Sequence, residues 1–462
     1  MYRQRNYLRT YSNYTQLDAW AQVGIDIIEA KDSTPNLDIV VRMYPAKKQD
    51  ISVTVDGSYN TGDVIATGNL FGVGVNFGLN NRNVARQAIQ SSTNFRTGVE
   101  LGKNFIQTIQ TSLSHTISFP KFIAPFKLKN SDSLLLQRTQ LNFNAAYTNR
   151  RTFYELRSLN ASWGYNLSKR GRTRRTTHSW FYSPLNIEYV QLNQGEQLKN
   201  LLANSPNLAF SFNTGLVVSQ VLVYKYSQSR SNKRNVFQLG VEESGGLVGI
   251  IDKLDKQGNL FRFVKLDADY RHYIDFKKSG WAFRLYAGIG VPYGKDADGS
   301  VENRLPFFKS FYAGGPYSMR GWSVRQLGVG SSIYFDTLGS GLNDRFGDIQ
   351  MESNVEYRFD LGTIFRIKLK SALFADVGNI WYRNNNGDNP AFRGAEFKLS
   401  RLYKDIAVAG GTSLRFDFDY FLIRLDWAYK LKNPRWADIN DGWFQKLELL
   451  KGQFQLGINY PF

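Results

Sequence analysis

The chain is 462 residues long with a formal charge of +19, and its 33 Phe, 26 Tyr and 9 Trp stand beside 40 Gly and no Cys. So much aromatic surface excludes a disordered chain, and a mean hydropathy of -0.38 without any apolar run near the ~18–20 residues of a spanning helix excludes a polytopic helical membrane protein. Without Cys there is no disulfide, no thiolate-bound zinc and no thiol chemistry, which leaves a large soluble β-protein or an outer-membrane β-barrel.

Residues 1–48 differ in pattern from the rest of the chain. Leu8, Tyr11, Tyr14, Leu17 and Trp20 recur at three-residue steps and predict a short helix over 7–20. Two strand-like runs, 21–30 and 37–46, flank the turn-rich KDSTPN and read as a hairpin. A helix and one hairpin make too small a core to stand alone, so this segment is expected to be the tail of a domain that begins upstream. The N-terminus has no apolar signal-peptide core, so an exported protein would carry that signal before Met1.

From residue 49 onward apolar and polar residues alternate. Phe421, Ile423, Leu425, Trp427, Tyr429 and Leu431 oppose Arg424, Asp426 and Lys430; Phe454, Leu456, Ile458, Tyr460 and Phe462 oppose Gln453, Gln455, Gly457 and Asn459. A period of two puts each set on its own face of a sheet. The runs exceed the ~5–6 residues of an ordinary strand and match the length that crosses a bilayer at a steep tilt. About sixteen such segments are expected, an even number suited to a single-chain transmembrane antiparallel barrel. With the first strand leading outward, the outward connections include 193–206, 244–259, 294–346, 382–404 and 432–451, and the inward turns include 168–176, 227–234, 276–280, 361–365 and 418–420. The basic runs at 168–175, 229–234 and Lys277-Lys278 fall on the inward side and read as a solvated rim or a contact for lipid phosphates.

A sixteen-strand barrel encloses a lumen that wall side chains cannot fill. The 294–346 loop is long enough to fold into it, and Gly314, Gly315 and Gly321 permit tight turns. By parity Glu352, Glu356, Lys368, Lys370, Phe374, Asp376 and Gly378 face the lumen. An Arg carried inward needs carboxylates there, because an unpaired buried charge is costly, and its planar fork suits two acceptors better than Lys does. The first strand, with Gly57, and the last, with Gly452, Gly457 and Pro461, predict a weak closing seam. No metal is expected from the scattered His115, His178 and His272, and no cofactor. GVGVNFG (72–78) lies in an alternating run rather than before a helix; 438–442 and 384–389 complete no calcium loop. No nucleophile–base constellation points to an enzyme, and no motif to nucleic acid.

FYAGGPYSMRGW (311–322) resembles the loop-6 signature of the BamA/TamA family of outer-membrane assembly proteins, with Met319, Arg320, Gly321 and Trp322 as its tetrad. ALFADVGNIW (372–381) is similar to that family's Phe-x-Asp-x-Gly strand, RLDWAYKL (424–431) to its Arg-x-Asp strand, and the aromatic Phe462 to its C-terminal residue. The resemblance implies a barrel over 49–462 and the end of an α+β POTRA domain over 1–48. It also implies that Arg320 pairs with Asp376 and with Glu356. The implied function is insertion of unfolded β-barrel clients between first and last strands, with outer-membrane lipids and periplasmic or lipoprotein accessory subunits as partners. A polypeptide-secretion pore of the same barrel family is the alternative.

Overall fold

The computed structural model describes residues 4–29, 37–60, 70–102, 105–125, 136–171, 175–199, 214–246, 260–293, 305–306, 308–333, 345–384, 393–418, 422–445 and 452–462. Helix α1 (Gln4–Thr15) precedes a hairpin of β1 (Trp20–Glu29) and β2 (Leu37–Pro45). The helix stops earlier than its apolar spacing suggests. Thr15 turns its hydroxyl back onto the Tyr11 carbonyl at 3.0 Å, and Asp18 takes a left-handed φ of 45°, so Trp20 opens β1 instead of ending the helix. The Tyr7 hydroxyl reaches the Ile25 carbonyl at 3.3 Å, over a small core of Ala19, Val23 and Ile25.

Sixteen further strands make up the remainder: β3 (Gln49–Asn60), β4 (Leu70–Val84), β5 (Ile89–Gly102), β6 (Phe105–Phe119), β7 (Leu136–Arg150), β8 (Tyr154–Arg170), β9 (Thr176–Gln194), β10 (Gly215–Arg230), β11 (Lys233–Ser244), β12 (Phe263–Asp275), β13 (Ser279–Pro292), β14 (Ile349–Ile364), β15 (Ile367–Trp381), β16 (Ala407–Asp417), β17 (Leu422–Lys432) and β18 (Gln453–Ile458). Each pairs antiparallel with its sequence neighbour in one sixteen-stranded sheet that ends on β3 and β18. The sheet is a transmembrane-type barrel, and its wall obeys parity. On β13, Trp281, Phe283, Leu285 and Ile289 are exposed outward, where acyl chains lie, while Ala282 and Arg284 point inward. Aromatic clusters ring the outer wall at the short-turn end: His178 with Trp180, Tyr224 and Tyr226, and Trp281 with Phe283 and Tyr357.

Long and short connections alternate as expected from β9 onward. Before it the pattern breaks: only Arg151–Phe153 separate β7 from β8 at the long-loop end, whereas 120–135 join β6 to β7 at the other. The turn placed at 361–365 is tighter, because β14 runs on to Ile364 and the reversal falls on Phe365 and Arg366, both at positive φ. GVGVNFG sits inside β4, and 385–392 of the 382–404 connection, with them all of 384–389 but Asn384, lie outside the described residues.

One expectation fails. The last strand ends at Ile458, and Tyr460 and Phe462 do not continue its lipid face. Asn459 adopts a left-handed φ of 66°, a conformation Asn tolerates, and Pro461 has no N–H with which to extend a ladder. The segment therefore turns into the lumen, where Phe462 is buried against Tyr273, Ala282 and Val236. Arg358 lies 4.6 Å from the Tyr460 ring and 5.4 Å from the Phe462 ring, and donates to the Phe462 carbonyl at 3.3 Å. The wall supplies a cation for both rings and an apolar seat for one.

Candidate functional site

Residues 308–333 of the long loop lie inside the barrel. Gly314 and Gly315 take φ of 107° and 91°, values open to Gly and strained for other residues, and so fold the segment back on itself. Gly321 lets the loop backbone close on β16, since a Cβ there would stand 2.8 Å from that of Ala409. Met319 and Trp322 then bury among Phe311, Ala313, Leu327, Val329 and the wall residues Ile380, Ala407 and Ala409. Small side chains on β16 leave the room that the two large loop residues fill.

This packing delivers Arg320 to the wall. Its Nε lies 2.8 Å and its Nη2 2.7 Å from the two oxygens of Asp376 on β15, its backbone N–H adds 3.1 Å, and its Nη1 lies 2.5 Å from Glu356 on β14. The guanidinium also stacks 3.5 Å above the Phe374 ring. All three charged side chains are essentially inaccessible. Glu356 further accepts from Arg415 at 2.9 Å and Arg358 at 2.7 Å, and Asp376 from Asn354 at 3.0 Å. Burial pushes the Arg320 guanidinium down, but Asp376 and Glu356 outweigh it and hold it above its ordinary value.

Other anchors carried no pattern in the sequence. Lys309 places its ammonium 2.9 Å from Glu188 on β9 and 2.9 Å from Glu242 on β11, and its carbonyl accepts from Lys265 at 2.7 Å. Burial lowers the Lys309 ammonium and the two glutamates more than offset it. Ser318 pairs with Glu352, which also takes Arg284 at 3.2 Å. Arg424 donates to the Pro316 carbonyl at 2.5 Å. From β18, Gln455 donates to the carbonyls of Trp322 at 2.9 Å and Arg320 at 3.3 Å. Of these partners the sequence places only Gln455 on the polar face of its strand; Glu188 and Glu242 come to light with the folded loop.

The seam residues are placed unevenly. Gly57 pairs with Val73 inside β3. Gly452 precedes β18 beside the Trp427 indole, and Gly457 packs under the Arg424 guanidinium. Tyr460 and Phe462 are in the lumen. All twelve residues of β3 pair with β4, β18 pairs with β17 over six, and among the described residues no ladder joins β3 to β18. The described residues hold no cluster of three or more metal-ligating side chains.

Known structures share this architecture. BamA from Haemophilus ducreyi lacking POTRA domains 1–3 superposes with a TM-score of 0.59 at 12% identity, over 97% of this chain and 77% of that one. CdiB from Escherichia coli gives 0.54 at 12% over 96% and 68%, and CdiB from Acinetobacter baumannii 0.52 at 15% over 91% and 64%. At these identities the likeness is one of fold. The family model of the Omp85 superfamily domain matches residues 16–462, and the chain belongs to that superfamily.

Proposed function

We propose that this barrel is an outer-membrane assembly factor that folds and inserts β-barrel clients through the opening between β3 and β18. Residues 1–48 are the end of a periplasmic POTRA domain, and the short-turn end of the barrel faces the periplasm. The observation that carries the reading is the unequal seam: a twelve-residue edge on β3 faces a six-residue strand whose continuation has turned inward. The unpaired N–H and C=O groups of such an edge are a template for strand addition. The exposed outer side chains Ile51, Val53 and Val55 carry that edge into the acyl phase, where an unpaired backbone group is especially costly and a client strand relieves it. The arrangement uses no nucleotide, no cofactor and no catalytic residue. Unfolded clients, outer-membrane lipids and periplasmic or lipoprotein subunits are its partners.

A secretion pore is the second reading, favoured by a lumenal wall on β6–β8 rich in amides and hydroxyls, where Thr116, Asn142, Ser162, Asn144 and Asn160 bond across the strands. Single-channel recording separates the two. An assembly factor with its loop in place conducts little and gains a large steady conductance when 308–333 are deleted. A secretion pore opens with the loop intact when its cargo is supplied.

A further inference from the structure

At the short-turn end of the first barrel strands, the N-terminal segment and the β4–β5 turn enclose a cavity of about 820 Å³. Its floor is largely apolar, built from Tyr14, Leu17, Trp20, Met43 and Pro45, and its rim carries Lys48, Arg82 and Arg86. No carboxylate is found among the described residues that line it. Arg82 is engaged by Asp50 at 3.1 Å, whereas Lys48 and Arg86 are exposed and enter no ion pair among the described residues. The turn itself is firmly built. The backbone N–H of Arg82 donates to the Lys48 carbonyl at 2.8 Å, and the Asn83 side chain accepts from the Ala88 N–H at 2.9 Å. Ala85, Arg86 and Ala88 take φ of 52°, 58° and 53°. Residues other than Gly hold this left-handed conformation only where surrounding bonds impose it, and such positions gather at ligand clamps.

We propose that this cavity binds one anionic phospholipid of the surrounding leaflet, with its phosphate on Lys48 and Arg86 and the start of an acyl chain on the apolar floor. The inference needs only a barrel that spans a bilayer, and it holds whichever polypeptides the barrel handles. Depth is the first argument. Ile51 on β3 pairs with Leu79 on β4, and both face the lipid, 76% and 46% exposed. Lys48 and Arg82 lie three residues beyond that pair, about 10 Å along the strands. At the tilt of such a barrel this is about 7–8 Å of depth, the thickness of a headgroup layer. Charge is the second. A guanidinium takes two phosphate oxygens in its planar fork and an ammonium adds a point charge. With Arg82 held by Asp50, the cations of Lys48 and Arg86 favour a headgroup of net negative charge and repel the cationic end of a zwitterionic one. Size and polarity are the third. The volume is that of a small-molecule site, so it admits a headgroup and the first methylenes while the rest of both chains stays in the bilayer. An acidic peptide would satisfy the rim, but the floor would desolvate its backbone without offering partners, which an acyl chain does not need. A lipid seated here bridges the N-terminal segment and the barrel beside the β3 edge. It adds to the contacts that Asp18 makes with Gln90 at 2.7 Å and Arg138 at 3.2 Å.

The absence of Cys allows a single label. The whole chain carrying Gln87→Cys, with an environment-sensitive fluorophore on the cavity wall, is titrated in dodecylmaltoside micelles. The probes are phosphatidylglycerol and phosphatidylcholine of matched chains, glycerophosphoglycerol as the headgroup without chains, and a Glu/Leu-rich acidic peptide. The same label at Asn232→Cys, on the basic β10–β11 turn, is the control for general attraction to cations. Phosphatidylglycerol shifts the Gln87 label saturably, binds at least about tenfold tighter than phosphatidylcholine or the chainless headgroup, and leaves the Asn232 label without a saturable response. Lys48→Gln with Arg86→Gln weakens it by at least about tenfold. Met43→Trp, which fills the floor and keeps every cation, weakens it as well. Heat-modifiable mobility on SDS gels shows that each variant is a folded barrel. Equal affinity for the two lipids, an equal response at Asn232, full binding in the Gln pair, or tighter binding of the acidic peptide overturns the proposal.

Discussion

Arg320 is one cation between two carboxylates, and its five donors are the reason no other residue serves there. Removing it leaves Asp376 and Glu356 buried without their principal counter-charge, a loss of roughly 3–5 kcal/mol. Arg320→Ala therefore lowers the stability of the barrel in urea titrations in detergent micelles, and Arg320→Lys restores only part of it, since an ammonium cannot bridge both acceptors. In a double-mutant cycle with Asp376→Asn the two substitutions couple by about 0.5–3 kcal/mol; strict additivity contradicts the contact. Lys309→Met breaks a second anchor on the far wall, leaves Glu188 and Glu242 facing each other, and costs less, about 1.5–3 kcal/mol. Both substitutions are needed to release the loop, because each alone leaves the other anchor in place. Protease accessibility of 308–333 in the single and double variants reads this out directly.

A strand of this wall is defined by which face each residue takes. Leu285→Arg puts a guanidinium in the acyl phase near the middle of β13 and costs about 2–4 kcal/mol; the measured stability drop falls toward zero if the same substitution is made at lumenal Ser114. That alternation is why the sixteen strands, and the inward sides of Glu356 and Asp376, were legible in the sequence: period two is a local signal that each strand carries by itself. The β18 terminus was not legible for the same reason. Tyr460 and Phe462 keep the parity of Phe454 and Leu456, and nothing nearby reveals that Arg358, Tyr273 and Ala282 from distant strands offer them a better seat. Lys309 was invisible too, because its partners lie on β9 and β11 and a loop has no period. Arg358→Met removes the cation shared by both rings, so the C-terminal segment becomes open to carboxypeptidase digestion, which it resists when Arg358 is intact.

At the scale of the molecule, the fold separates two tasks. The charged half of the lumen fastens residues 308–333 of the loop inside the barrel, and in the proposed function this keeps conduction low. The seam, with its unequal edges and inward-turned segment, is in the proposed function the place where strands are added. Gln455 joins the two, since the same β18 side chain that lines the seam donates to the loop backbone at Arg320 and Trp322. The central claim is that work is done at the opening between β3 and β18. Cysteine pairs placed at Ser52–Val55 on β3 and at Phe454–Leu456 on β18, tied by a disulfide-containing bifunctional maleimide in a chain with no native Cys, test it in vesicles by the yield of folded client. Tying the seam abolishes client folding and reductive cleavage of the linker restores it; undiminished folding with the seam tied contradicts the account.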